Sequence, residues 1–160
     1  MDTLIEAWDE AHGEFAIAFG GLSDEDVWRR AHPKLLSVGE IAGHVAYAQA
    51  VWTMGGGNHS PDLAKLPIES PFLQQAFRYY TSSVDHPYAL DMGSAQVLEE
   101  VARVHEAAKD TVAGKEKDEP YPGQWGTWGN LVQYQAFHVA YHTGQAYSVR
   151  HLLGHKTEDN

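Results

Sequence analysis

His138 and His142 are four residues apart, so on a helix their rings rise from the same face on successive turns. That spacing lets two imidazoles reach one metal ion. A third ligand must come from a facing element, and His44 is placed to supply it, among the apolar residues Ile41, Val45 and Ala48. Three histidines from two helices, meeting near mid-length, are a recognised way to build a metal site inside a helical bundle. Any metal site has to be built from His, Asp or Glu, because the chain has no cysteine. Disulfides, zinc–thiolate sites, iron–sulfur clusters and a cysteine nucleophile are all excluded.

Other histidines fail the same test. His151 and His155 are also four apart, but Gly154 falls between them where a helix should end, so they are expected to be exposed. His12 and His105 flank apolar stripes and read as boundary residues. His32, His59 and His86 fall in turns or loops. Two other metal chemistries are absent. A zincin needs His-Glu-x-x-His, and Val139 stands at the glutamate position. A di-iron bundle needs Glu-x-x-His pairs, and the chain has none.

Three further residues are candidates for support. Gln145, three beyond His142, is spaced to hydrogen-bond a ligand ring or a substrate. Tyr47, three beyond His44, either lines the cavity or packs at the core rim. Glu40, four before His44, either moves protons or completes a capping box with Ser37, and capping is the favoured reading.

The elements that must position these residues follow from periodicity and caps. Leu4, Trp8, Ala11, Phe15 and Ala18 form one stripe, predicting a helix over residues 3–19 that stops at Gly20-Gly21. Ser23 to Asp26 resembles the cap and acidic first turn of a short helix ending near Ala31. Ser37 and Glu40 open the helix that carries His44, with Val38, Ile41, Val45, Ala48 and Trp52 inward, and Gly55-Gly56-Gly57 closes it. Ser70-Pro71 predicts a helix over 71–83 with Phe72, Ala76 and Tyr79 or Tyr80 inward. Val97, Val101, Val104, Ala108 and Val112 predict a helix over 94–113. The last helix starts after Thr127 and ends before Gly154, with an inward stripe of Leu131, Tyr134, His138, Tyr141 or His142, Gln145, Val149 and Leu152. The result is an all-α protein, an antiparallel four-helix bundle with one or two extra short helices. Residues 1–154 form one domain, and 155–160 form a polar tail expected to fray.

The net charge of −11 gives no basic face for phosphates, so nucleic-acid binding is not expected. No apolar run approaches the ~20 residues of a membrane span. The acidic N-terminus does not open like a secretory signal, which predicts a cytoplasmic protein.

Ser37-Val38-Gly39-Glu40-Ile41-Ala42-Gly43-His44-Val45-Ala46 resembles the second-helix signature of the DinB-like (damage-inducible, YfiT-like) metalloprotein superfamily. His138-Val139-Ala140-Tyr141-His142-Thr143-Gly144-Gln145 resembles its fourth-helix signature, and Arg150-His151-Leu152-Leu153-Gly154 its usual ending. Thr143 stands where many members carry arginine. The resemblance implies a four-helix bundle with a three-histidine site for one divalent ion, zinc or nickel first, and commonly a homodimer. It also implies a thiol-dependent transferase or isomerase using a low-molecular-weight bacterial thiol, although many members have no assigned reaction.

Three neutral imidazoles leave coordination positions open, the condition for catalysis instead of a structural site. A water or thiol taking such a position becomes far more acidic. The expected function is a metal-dependent enzyme, a thiol-dependent S-transferase or hydrolase-like protein acting on a small electrophile. The alternative is a non-catalytic, metal-stabilised binding or stress-response module.

Overall fold

A computed structural model describes residues 1–58, 60–78 and 86–156. Four helices dominate: α1 (Asp2–Ile17), α2 (Val38–Met54), α3 (Ser94–Val112) and α4 (Trp128–Leu152). No strand occurs among the described residues, and the only extended pairing there is a single bridge between Pro120 and Thr127. The extra elements are two 3-10 turns, Leu63–Lys65 and Gln75–Phe77.

α2 is the central helix, packed on both α3 and α4, while α1 lies mainly against α4. It is buried on nearly every side from Val38 to Thr53, and its length is apolar apart from a few polar residues. Its start is fixed as the sequence predicts. Ser37 Oγ accepts from Glu40 N–H at 3.1 Å, and Glu40 Oε2 accepts from Ser37 N–H at 2.7 Å.

The antiparallel relation holds within the linked pairs α1–α2 and α3–α4 and between α2 and α4. α3 starts at the end of the bundle where α2 began, so α3 runs parallel to α2. Trp28 Nε1–H donates to Met92 O at 2.7 Å, and Asp24 accepts from Ser94 N–H at 2.8 Å, placing the α3 start beside the α2 start. Arg150 donates to Ala18 O at 2.9 Å, so the ends of α1 and α4 lie together. The order is up-down-down-up.

Two expected helices are not found among the described residues. Residues 24–28 form only a turn, closed by Val27 N–H to Ser23 O at 3.1 Å. The Ser23 hydroxyl caps that turn, accepting from Asp26 N–H at 3.0 Å, while Asp24 and Asp26 are engaged by Ser94 N–H and His155, and Val27 is buried in the core. Of the helix predicted over 71–83, the described part, 71–78, holds only the 3-10 turn at Gln75–Phe77, with Phe72 and Phe77 buried and Ala76 half-buried. Tyr79, Tyr80 and the rest of that segment to Ser83 lie outside the described residues, as do His59 and residues 157–160.

The stripe read along α4 also changes. Tyr141 and Leu152 are 55% and 65% exposed, and Gln145 is exposed, whereas Gln135, Thr143 and Arg150 are buried. Thr143 lies inside because its hydroxyl donates to Val139 O at 2.9 Å, and Arg150 because it caps the end of α1. The tail does not fray at once: His155 Nε2 lies 2.6 Å from Asp26 Oδ2, and Lys156 O accepts from Arg150 at 3.0 Å. His155 is therefore half-buried, as is His151, and neither is the exposed residue expected.

Candidate metal centre

His44 of α2 and His138 and His142 of α4 come together between the two helices, each offering a ring nitrogen within 4.8 Å of the others. Their ring centroids are 4.4 to 5.2 Å apart. His138 and His142 are buried and His44 is half-buried. The i, i+4 relation on α4 and the antiparallel crossing of α2 over it produce this meeting.

Hydrogen bonds set the tautomers. His142 Nδ1–H donates to Gln145 Oε1 at 2.7 Å, which leaves the lone pair on Nε2. His44 Nδ1–H donates to the Phe77 carbonyl at 2.9 Å, which again places the lone pair on Nε2. His142 Nε2 and His138 Nε2 are 3.1 Å apart. Two nitrogens bound tetrahedrally to one zinc-sized ion, each ~2.0–2.1 Å from it, would be separated by ~3.3 Å. The spacing therefore fits a shared ion. His138 Nδ1 is buried and has no hydrogen-bond partner.

The electrostatics suit ligation. Burial, reinforced by the imidazoles of His142 and His44, pushes His138 down to about 2. Burial and His44 push His142 to about 4, and burial lowers His44 as well. All three rings are neutral at pH 7, the protonation state in which imidazole binds a cation.

The supporting residues divide. Gln145 touches a ligand ring. Tyr47 is buried in the hydrophobic core, at 3% exposure. Glu40, also buried, has its carboxylate committed elsewhere: besides Ser37 it accepts from Arg30 Nε–H at 2.8 Å and from Tyr88 N–H at 2.9 Å. This ties α2 to the segments on either side of it, and the proton-moving alternative for Glu40 finds no such geometry.

Two contributors were not legible from the sequence. The Phe77 carbonyl orients His44, and a backbone group leaves no residue-type signal. Trp52 sets its ring edge-on to His138 at 4.9 Å, and Trp125 and Tyr134 pack beside it. Trp52 is visible in sequence as an inward residue of α2 two turns beyond His44, but nothing there marks it as a neighbour of His138. Phe77 approaches α2 closely because of Gly43, where a Cβ would meet its ring at 2.3 Å.

No curated protein and no solved structure matches the chain. The family profile of the DinB superfamily matches residues 7–146, a span that includes all three histidines and all but the ends of the bundle. The chain belongs to the DinB superfamily.

Proposed function

We propose that the chain is a metal-dependent enzyme, holding one divalent transition-metal ion, zinc or nickel first, on His44, His138 and His142. The reading is carried by the convergence of three neutral imidazoles, two of them fixed by Gln145 and Phe77 with Nε2 toward the common point. Such an ion supplies Lewis acidity, lowering the pKa of a water or thiol bound to it. The chain's own groups orient and enclose. Gln145 and the Phe77 carbonyl hold the ring planes, and burial keeps the rings unprotonated. Trp52, Trp125 and Tyr134 form an aromatic wall beside His138 that excludes water and offers an apolar surface to a small substrate. The substrate class is a small electrophile. The cosubstrate is a low-molecular-weight thiol, in keeping with a cysteine-free chain, and water in its place gives hydrolase-like chemistry. The working unit is a homodimer.

The test is metal content followed by turnover. Purified wild-type protein should carry close to one ion per chain and His142→Ala only background, because loss of one ligand in three sharply weakens binding. Equal content in the two would remove the metal site. Loaded protein that neither binds a bacterial thiol nor converts any electrophile in a broad panel would return the function to a metal-stabilised binding module.

A further inference from the structure

The outward face of α4 differs from the other exposed helix faces among the described residues. α1 presents Asp2, Glu6, Asp9, Glu10 and Glu14 to solvent, and α3 presents Glu99, Arg103, Glu106 and Asp110. From Asn130 to Leu152 no exposed residue of α4 is charged. The strip is about 33 Å long at the rise of a helix. It carries Phe137 at 60% exposure, Tyr141 at 55% and Leu152 at 65%. A solvated helix face normally carries charge, and bare aromatics on such a face mark a contact surface.

The strip is also self-complementary. Phe137 and Ser148 are equally far from a point midway between His142 and Thr143, on opposite sides of it, and so are Tyr141 and Gly144. A second α4 laid antiparallel about a two-fold axis through that point sets each large residue against a small one. Phe137 then meets Ser148 of the second copy, and Tyr141 meets Gly144. Gly144 has nothing within 4 Å of the place where its side chain would be. Beside the Ser148 end lies a cleft of about 530 Å³, lined in part by Leu35, Leu36, Ile41, Gly144, Ser148 and Val149. It is positioned to take the incoming phenyl ring.

We infer that α4 is the homodimer surface, docking antiparallel on α4 of a second copy with Phe137 of each seated in the other's cleft. The inference rests on the homodimer part of the reading above and not on the metal chemistry. A copy with net charge −11 is repelled by the acidic faces of α1 and α3, and α4 is the long helix whose exposed face carries no carboxylate. An isologous contact requires self-complementarity, which this strip has. The face also borders the histidine centre: Gln145, which orients His142, and Tyr141, whose ring lies 5.1 Å from it, sit on the strip.

Sedimentation of the full-length protein should give a dimer, and Phe137→Glu should give a monomer with an unchanged helical signal. A wild-type monomer at all accessible concentrations would overturn the dimer and this surface together. A dimer that survives Phe137→Glu would keep the dimer and overturn the surface. The register has its own test, made clean by the absence of native cysteine. Positions 137 and 148 lie about 16 Å apart along one helix, beyond disulfide reach. Oxidised Phe137→Cys/Ser148→Cys protein should therefore form a covalent dimer, while Phe137→Cys alone stays uncrosslinked. Equal crosslinking of the two variants would overturn the antiparallel register, and so would none in the double variant. Recruitment of the wild-type protein to lipid vesicles through Phe137, with no dimer in solution, would replace the second copy by a membrane surface.

Discussion

Histidines gather at two places in this bundle, on opposite sides of α2. On the α4 side are His44, His138 and His142. Toward α1 and α3 are His12 and His105, with rings stacked at a centroid distance of 3.7 Å. The second group has protein partners already. His105 Nε2 lies 2.7 Å from Asp9 Oδ1 and its Nδ1 lies 3.1 Å from the Gln49 amide, which is also 2.9 Å from His12 Nε2. Lys109 sits 2.9 Å from the same Asp9 oxygen and 2.9 Å from Glu106. Asp9, His105 and Glu106 offer ligand atoms close enough for an ion, but that place is held by a lysine. In the first group, Gln145 and Phe77 hold the far side of two rings and leave the near side of the cluster to converging nitrogens. Clustering alone does not make a metal centre. What separates the two is which lone pairs the protein has already used.

The comparison can be broken most sharply by exchanging the lesion. His142→Ala should lose the ion, and His105→Ala should keep full stoichiometry in the same metal analysis. Stability should then follow the reverse order in metal-free protein. His105→Ala takes one partner each from Gln49 and Asp9, leaving them only His12 and Lys109, and should cost about 1–3 kcal/mol in a denaturant titration, and an unchanged midpoint would count against the closed network. A smaller effect is expected at Gln145. Gln145→Leu removes the acceptor for His142 Nδ1–H and should weaken metal affinity by roughly 10–100-fold at unchanged stoichiometry. Unaltered affinity in a competition titration would leave Gln145 as a surface residue.

The smallest effect is the pH dependence. Burial, with His105 alongside, pushes His12 from its ordinary 6.5 to about 3, and burial lowers His105 despite the nearby carboxylate of Asp9. The unfolded chain therefore takes up protons before the folded one as pH falls. The stability these neutral rings contribute is complete above 6.5 and is lost progressively toward 3. His12→Gln should flatten the fall in melting temperature across that window. An unchanged slope would mean that His12 is hydrated and titrates normally in the fold.

Much of the framework was legible in the sequence because it is written in local signals. Ser37 with Glu40, Thr127 before α4, and the valine stripe of α3 each depend on neighbours within a turn or two. What escaped depends on contacts between distant segments. The parallel relation of α2 and α3 is held by contacts between distant residues, Trp28 with Met92 and Asp24 with Ser94. The α4 stripe misled because polar Gln135, Thr143 and Arg150 are taken inside by specific partners, while Gln145 and Leu152 remain outside; of Tyr141 and His142, it is His142 that faces inward. Of the site, the three histidines and Gln145 could be read from spacing. The Phe77 carbonyl and the placing of Trp52 against His138 could not, since neither has a spacing rule.

Gly43 has a consequence for how the site can be tuned. A glycine inside a helix ordinarily weakens it by about 1 kcal/mol relative to alanine, yet here the missing methyl is the room into which Phe77 fits. The aim of the adjacent His44 is thus set from behind, by how deeply a phenyl group sinks into its own helix. Growth of one carbon at 43 would push that ring back and re-aim the imidazole from outside the candidate cluster, with all three of its side chains unaltered.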